Sequence, residues 1–123
     1  MQTGENMIRR EFLLAAAVKA AYRESAQREK PLRIEEISRN LFNLSQKGIN
    51  LGEISLKRIP GGFYSEDIEI LVGHFLDAKF ATRRSPVQLT KEGQKVLDSI
   101  IHQQKKENPE ALRKIEAVLG RLA

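Results

Sequence analysis

Few residue types in this chain can do covalent or redox chemistry. There is no cysteine, which removes disulfides, thiolate metal sites and thiol nucleophiles together. The two histidines, His74 and His102, lie far apart in the sequence, so a histidine-based metal site is not expected. The adjacent carboxylates Glu35 and Glu36, and Glu66 and Asp67, each fall where a helix begins. Interaction with the helix dipole accounts for both pairs without acid–base chemistry. Gly61 and Gly62 lack the spacing and the lysine of a phosphate loop. His74 reads as a partly exposed helix residue, and Tyr22 and Tyr64 as the edge of a core. The residues predict no enzyme and no cofactor.

What remains is charge. Lys79, Arg83, Arg84 and Lys91 cluster around a short extended stretch. Arginines at a hairpin tip can lie along a nucleic-acid backbone or enter a narrow minor groove. The alternative is a solvated edge strand that positive charge protects from pairing. Lys57 and Arg58 either extend the same surface or sit on a plain exposed loop, and Arg9, Arg10, Lys19 and Arg23 read as a solvated helix face. The formal net charge is +5. Residues 65–78 carry four acids and no Lys or Arg, whereas residues 79–106 carry seven basic and two acidic side chains. This acidic stretch beside the most basic one is the most informative charge pattern in the chain.

The 123 residues suit a single domain, 41% hydrophobic and 30% charged, with enough chain to bury a core. The apolar run over residues 12–18 is too short to cross a bilayer. No secretory leader is read before it, so a cytoplasmic protein without membrane contact is expected.

Five helices must position the charged residues. Ala-rich sequence predicts a first helix over residues 5–28, with Ile8, Phe12, Leu13, Ala16, Ala17, Ala20 and Ala21 as its apolar stripe. A second is predicted over residues 34–46 from Ile34, Ile37, Leu41, Phe42 and Leu44, with Gly48 beyond its end. Residues 49–63 show only partial alternation, and Pro60, Gly61 and Gly62 read as a breaker. Ser65 is the expected N-cap of a third helix over residues 66–77, buried through Ile68, Leu71, Val72, Phe75 and Leu76. Residues 79–84 and 87–89 predict a hairpin about Ser85 and Pro86. Thr90 caps a fourth helix that presents Val96, Leu97, Ile100 and Ile101 inward, and Asn108 with Pro109 breaks it or starts a final helix. In that last helix Leu112, Ile115, Leu119 and Leu122 form a short seam, which either packs back on the domain or serves as a dimer contact.

This order of elements resembles a winged helix-turn-helix with flanking N- and C-terminal helices, a mainly α fold with a small β-hairpin. The likeness is carried by Phe63, Tyr64, Ser65, Leu71, Phe75, Leu76 and Phe80, and by Leu89, Thr90, Glu92, Gly93 and Leu97 after the hairpin. The second group is similar to the L-T-x-E-G-x-x-x-L exit from the wing in MarR-type and PadR-type prokaryotic regulators. It covers residues 34–101, flanked by the first helix (1–33) and the last (109–123). The resemblance implies a homodimeric DNA-binding regulator of transcription, with Lys79, Arg83, Arg84, Lys91, Lys57 and Arg58 on the DNA. Two departures stand against the pattern. The stretch between the second and third helices is far longer than a three- or four-residue turn, so a further element must sit there. And the third helix, which should face DNA, carries Glu66, Asp67 and Glu69. The alternative reading is therefore a protein-interaction domain that offers these three carboxylates to a basic partner.

Overall fold

The computed structural model describes residues 8–123, which form, in order, α1 (Arg10–Arg28), α2 (Ile34–Gln46), β1 (Lys57–Ile59), β2 (Gly62–Tyr64), α3 (Glu66–Asp77), β3 (Ala81–Arg84), β4 (Val87–Leu89), α4 (Lys91–Glu107) and α5 (Pro109–Leu119). The chain is thus mainly helical with two small antiparallel hairpins, β1–β2 and β3–β4. No helix among the described residues is long and apolar enough to cross a membrane.

Helix α1 is described from Arg10, with Ile8 and Arg9 ahead of it not helical; residues 5–7 of the expected helix lie outside the described residues. Its role is also more central than one apolar stripe predicts. All of residues 12–18 are buried, and α1 packs on α2, α4 and α5. A helix that is apolar all round in its middle belongs at the centre of a core. Each large side chain removed from water there, such as Phe12 or Leu13 at 1% exposure, contributes about 1.5–3 kcal/mol. Helix α2 closes one side through Ile37, Leu41 and Leu44, all fully buried. The Asn40 side-chain amide donates to the Ala17 carbonyl at 2.9 Å and fixes the two helices in register.

The stretch expected to interrupt the chain at Pro60 is instead a hairpin turn. Ile59 pairs with Gly62, leaving Pro60 and Gly61 as the two-residue loop, with Gly61 at φ 87°. Proline fixes φ at the first loop position and glycine supplies the positive φ at the second. The β2 strand lies on α2, where Phe63 stacks on Phe42 with ring centroids 4.0 Å apart. This hairpin is the element the long second connection required, and it makes two hairpins where one was expected.

Helices α3 and α4 start at their expected caps, and α5 starts with Pro109 in its first position and Asn108 as its cap. The Ser65 Oγ accepts from the Ile68 N–H, the Thr90 Oγ1 from the Gly93 N–H and the Asn108 Oδ1 from the Ala111 N–H. Helix α5 folds back on α4, α2 and α1. Leu112, Ile115 and Leu122 are consequently buried within the one chain and Leu119 is half-buried. Of the two readings of this seam, packing back on the domain is what the fold shows for Leu112, Ile115 and Leu122.

Candidate nucleic-acid interface

The acidic third helix is held by cations from elsewhere in the chain. Asp67 is bonded to the guanidinium of Arg10, at the start of α1, and its Oδ2 accepts from the Ser55 N–H at 2.6 Å. Glu69 pairs with Arg84 at 3.1 Å. Two of the carboxylates that appeared to oppose DNA are thus part of the fold. Burial raises the Asp67 pKa, but the Ser55 N–H and the Arg10 guanidinium outweigh it and bring the carboxyl below its ordinary value. A group whose pKa is depressed by folding stabilises the fold above its unfolded pKa, here about 3.9, and loses that contribution as pH falls through the folded value. Asp67→Asn is therefore expected to cost about 1 kcal/mol at pH 7, since Arg10 is half-exposed and screened. The gap between variant and native stability should close below about pH 4, as chemical denaturation at a series of pH values would show. A gap that stays constant down to pH 2.5 would contradict the assignment.

The β3–β4 hairpin runs alongside α3, and a bulge between Ala81 and Arg83 re-aims the strand. Neighbouring strand residues point to opposite faces. Arg84 turns onto α3, where it meets Glu69 and lies against Gly73, whereas Arg83 turns away and is exposed. At the other end, Lys79 follows α3 with φ 66°, a left-handed position that usually falls to glycine. The Phe80 N–H donates back to the Phe75 carbonyl at 2.7 Å, and the Thr90 Oγ1 donates to the Lys79 carbonyl at 3.1 Å. Lys79 and Lys91 therefore flank one junction, at the base of the hairpin. Its far side is docked by the Val87 N–H, which donates to the Leu32 carbonyl at 2.7 Å.

Lys57 and Arg58 lie on β1, opposite Tyr64 and Phe63. The Lys57 ammonium sits 5.6 Å from the centre of the Tyr64 ring, and the Arg58 guanidinium 5.2 Å from that of Phe63. Each aromatic face attracts its cation by about 0.5–1 kcal/mol at an exposed site. The result is an exposed cationic hairpin whose charges are oriented by rings. The sequence reading missed these pairings because Phe63 and Tyr64 find their cations only once the hairpin forms.

Of the six cations expected at a polyanion surface, Arg84 alone has a carboxylate partner among the described residues. All six are exposed. On α3 the outward line is Glu66, Ile70, His74 and Asp77, and Ile70 is the one large hydrophobic side chain exposed among the described residues, at 48%. His102 is exposed on α4, and among the described residues no three His, Asp or Glu side chains gather as metal ligands would. No protein-family model, curated protein or solved structure matches this chain.

Proposed function

We propose that this chain is a DNA-binding protein of winged-helix type, a regulator of transcription, that grips the backbone of duplex DNA with its two hairpins. The observation that carries the reading is the state of Lys57, Arg58, Lys79, Arg83 and Lys91. All five are exposed and without a carboxylate partner among the described residues, while Asp67 and Glu69 of the acidic helix are held by Arg10 and Arg84. Lysines and arginines on phosphates supply affinity and its salt dependence. They position a protein without specifying a sequence. The outward line of α3 offers base edges only Glu66 and Asp77, which can accept from cytosine, with no Arg or Lys beside them on the helix, so its field repels the phosphates and disfavours major-groove readout by that helix. In this reading β3–β4 is the wing, and Arg83, turned away from α3, is its side chain for the minor groove.

Lys79 adds a further argument. A non-glycine residue in the left-handed region costs about 1 kcal/mol, and a glycine would serve the turn more cheaply. A lysine at that position fits a surface that uses its charge.

The test is binding of random-sequence duplex across a salt series, read by fluorescence anisotropy. Arg83→Ala with Lys91→Ala removes two exposed side chains and should lower the slope of log affinity against log salt by about 1.8. An unchanged slope in the double variant would remove the wing from the interface.

A second reading rests on Ile70. An exposed isoleucine between Glu66, His74 and Asp77 suits a protein partner with an apolar and basic surface. Glu66→Lys separates the two readings. It should strengthen DNA binding if α3 lies near the phosphates, and weaken capture of a basic partner if α3 is a protein-contact face.

A further inference from the structure

Helix α4 carries a cationic face of which only Lys91 belongs to the surface of the two hairpins. Lys91, Lys95, Lys105 and Lys106 are all exposed, and the exposed His102 lies among them. At 3.6 residues per turn these five fall within a sector of about 100°, and at 1.5 Å per residue they extend over about 22 Å of helix. The opposite face, with Gly93, Leu97, Ile101 and Gln104, is buried in the core. The sector therefore faces water by construction. Its one carboxylate, Asp98, is bonded to Lys19 of α1. Glu107, outside the sector, is paired with Arg9. None of the four lysines has a carboxylate partner among the described residues. At its start the stripe joins the base of the β3–β4 hairpin, because the Thr90 N–H and Oγ1 are bonded to the carbonyls of Phe80 and Lys79.

We infer that the exposed face of α4 is a second contact for the phosphate backbone of duplex DNA, continuous with the base of the wing. This inference rests on the DNA-binding reading above and lengthens its footprint. Charge complementarity selects the occupant: a duplex presents about one negative charge per 1.7 Å of axis, so a straight 22 Å stripe meets a dense, regular row of phosphates. Single-stranded nucleic acid is held largely by aromatic platforms, and α4 has no Phe, Tyr or Trp, His102 being its one aromatic ring. A helix lying on a bilayer is held by inserted apolar side chains as well as by charge, and the apolar side chains of α4 are packed in the core, which leaves only the electrostatic part.

The experiment compares the full chain with two variants, by anisotropy on a labelled random-sequence duplex across a salt series. Lys95→Gln, Lys105→Gln and Lys106→Gln together should lower the salt slope by about 2.7 and weaken binding at least tenfold near 0.1 M salt. Asp98→Asn should do the opposite, since it removes the only carboxylate in the stripe and frees Lys19; tighter binding with a steeper slope is a gain that misfolding cannot imitate. Native binding to duplex with an unchanged slope in the triple variant overturns the stripe and leaves the wing reading standing. Absence of duplex binding by the native chain at low salt overturns both. Tighter binding to a single strand, or to vesicles of phosphatidylserine and phosphatidylcholine, than to duplex also overturns the inference, in favour of that surface.

Discussion

Replacing Gly93 with alanine is expected to destabilise the fold by about 3 kcal/mol and to lower its midpoint of thermal unfolding by about 10 °C. A Cβ built on Gly93 would lie 2.0 Å from the carbonyl oxygen of Phe80 and 2.9 Å from its carbonyl carbon. Both atoms belong to backbone, so no rotamer change relieves the clash, and α4 must move away from the turn that ends α3. That carbonyl accepts from the Thr90 N–H at 2.9 Å, and the Phe80 ring meets Phe75 edge-on at 5.5 Å. Displacement would break the first contact and disturb the second. Helix propensity pulls the other way, because alanine is favoured over glycine by about 1 kcal/mol in a helix interior. The sign of the measured change therefore decides which effect dominates. A midpoint equal to or above that of the native chain would mean that α4 is not seated on Phe80 as described.

The same close approach bears on how much could be read from sequence. Gly93 was legible as part of an L-T-x-E-G motif, but its reason, the Phe80 carbonyl thirteen residues upstream, was not. The bounds of α2 and α3 were legible because local chemistry fixes them: Ser65 caps α3, and Gly48, at φ 87°, follows α2. The first hairpin was missed because Pro60 and Gly61 were read as a stop, when the same pair is good turn chemistry between strands. The centrality of α1 was present in the uninterrupted apolar run 12–18 and was obscured by seeking a single stripe in it.

The candidate site divides along the same line. Exposure of Arg83 and Lys91 follows from their position beside a turn and in a first helical turn. The pairing of Arg10 with Asp67 spans 57 residues, and no spacing rule reaches that far. Net charge by segment therefore misjudged α3. It counted Asp67 and Glu69 as a free acidic surface, whereas the fold gives each a guanidinium. It misjudged Arg84 in the same way, counting as free a cation that Glu69 holds. Charge totals are informative about partners only after internal pairs have been removed, and here the removal shifts the balance toward the unpaired cations of the hairpins and α4.

Ser38→Ala is the second variant with a large expected effect, a loss of about 2 kcal/mol. Ser38 is a fully buried polar residue on α2. Its Oγ donates to the Ile34 carbonyl at 2.8 Å and accepts from the Ser65 N–H at 3.0 Å. The second bond joins α2 to the point where β2 hands over to α3, and Ser65 is itself fully buried. Alanine leaves the Ser65 N–H without its acceptor in a site closed to water, and an orphaned buried donor is costlier than the mean hydrogen bond is worth. Ser65→Ala makes a useful contrast. It removes a cap whose Oγ accepts from the Ile68 N–H at a long 3.4 Å, and leaves the backbone bond to Ser38 in place, so it should cost only about 1 kcal/mol. Denaturant unfolding of the two variants tests the order. If Ser38→Ala proved the milder of the two, the register between α2 and the start of α3 would not depend on this hydroxyl, and the seating of the first hairpin would have to rest on the Phe42–Phe63 stack alone.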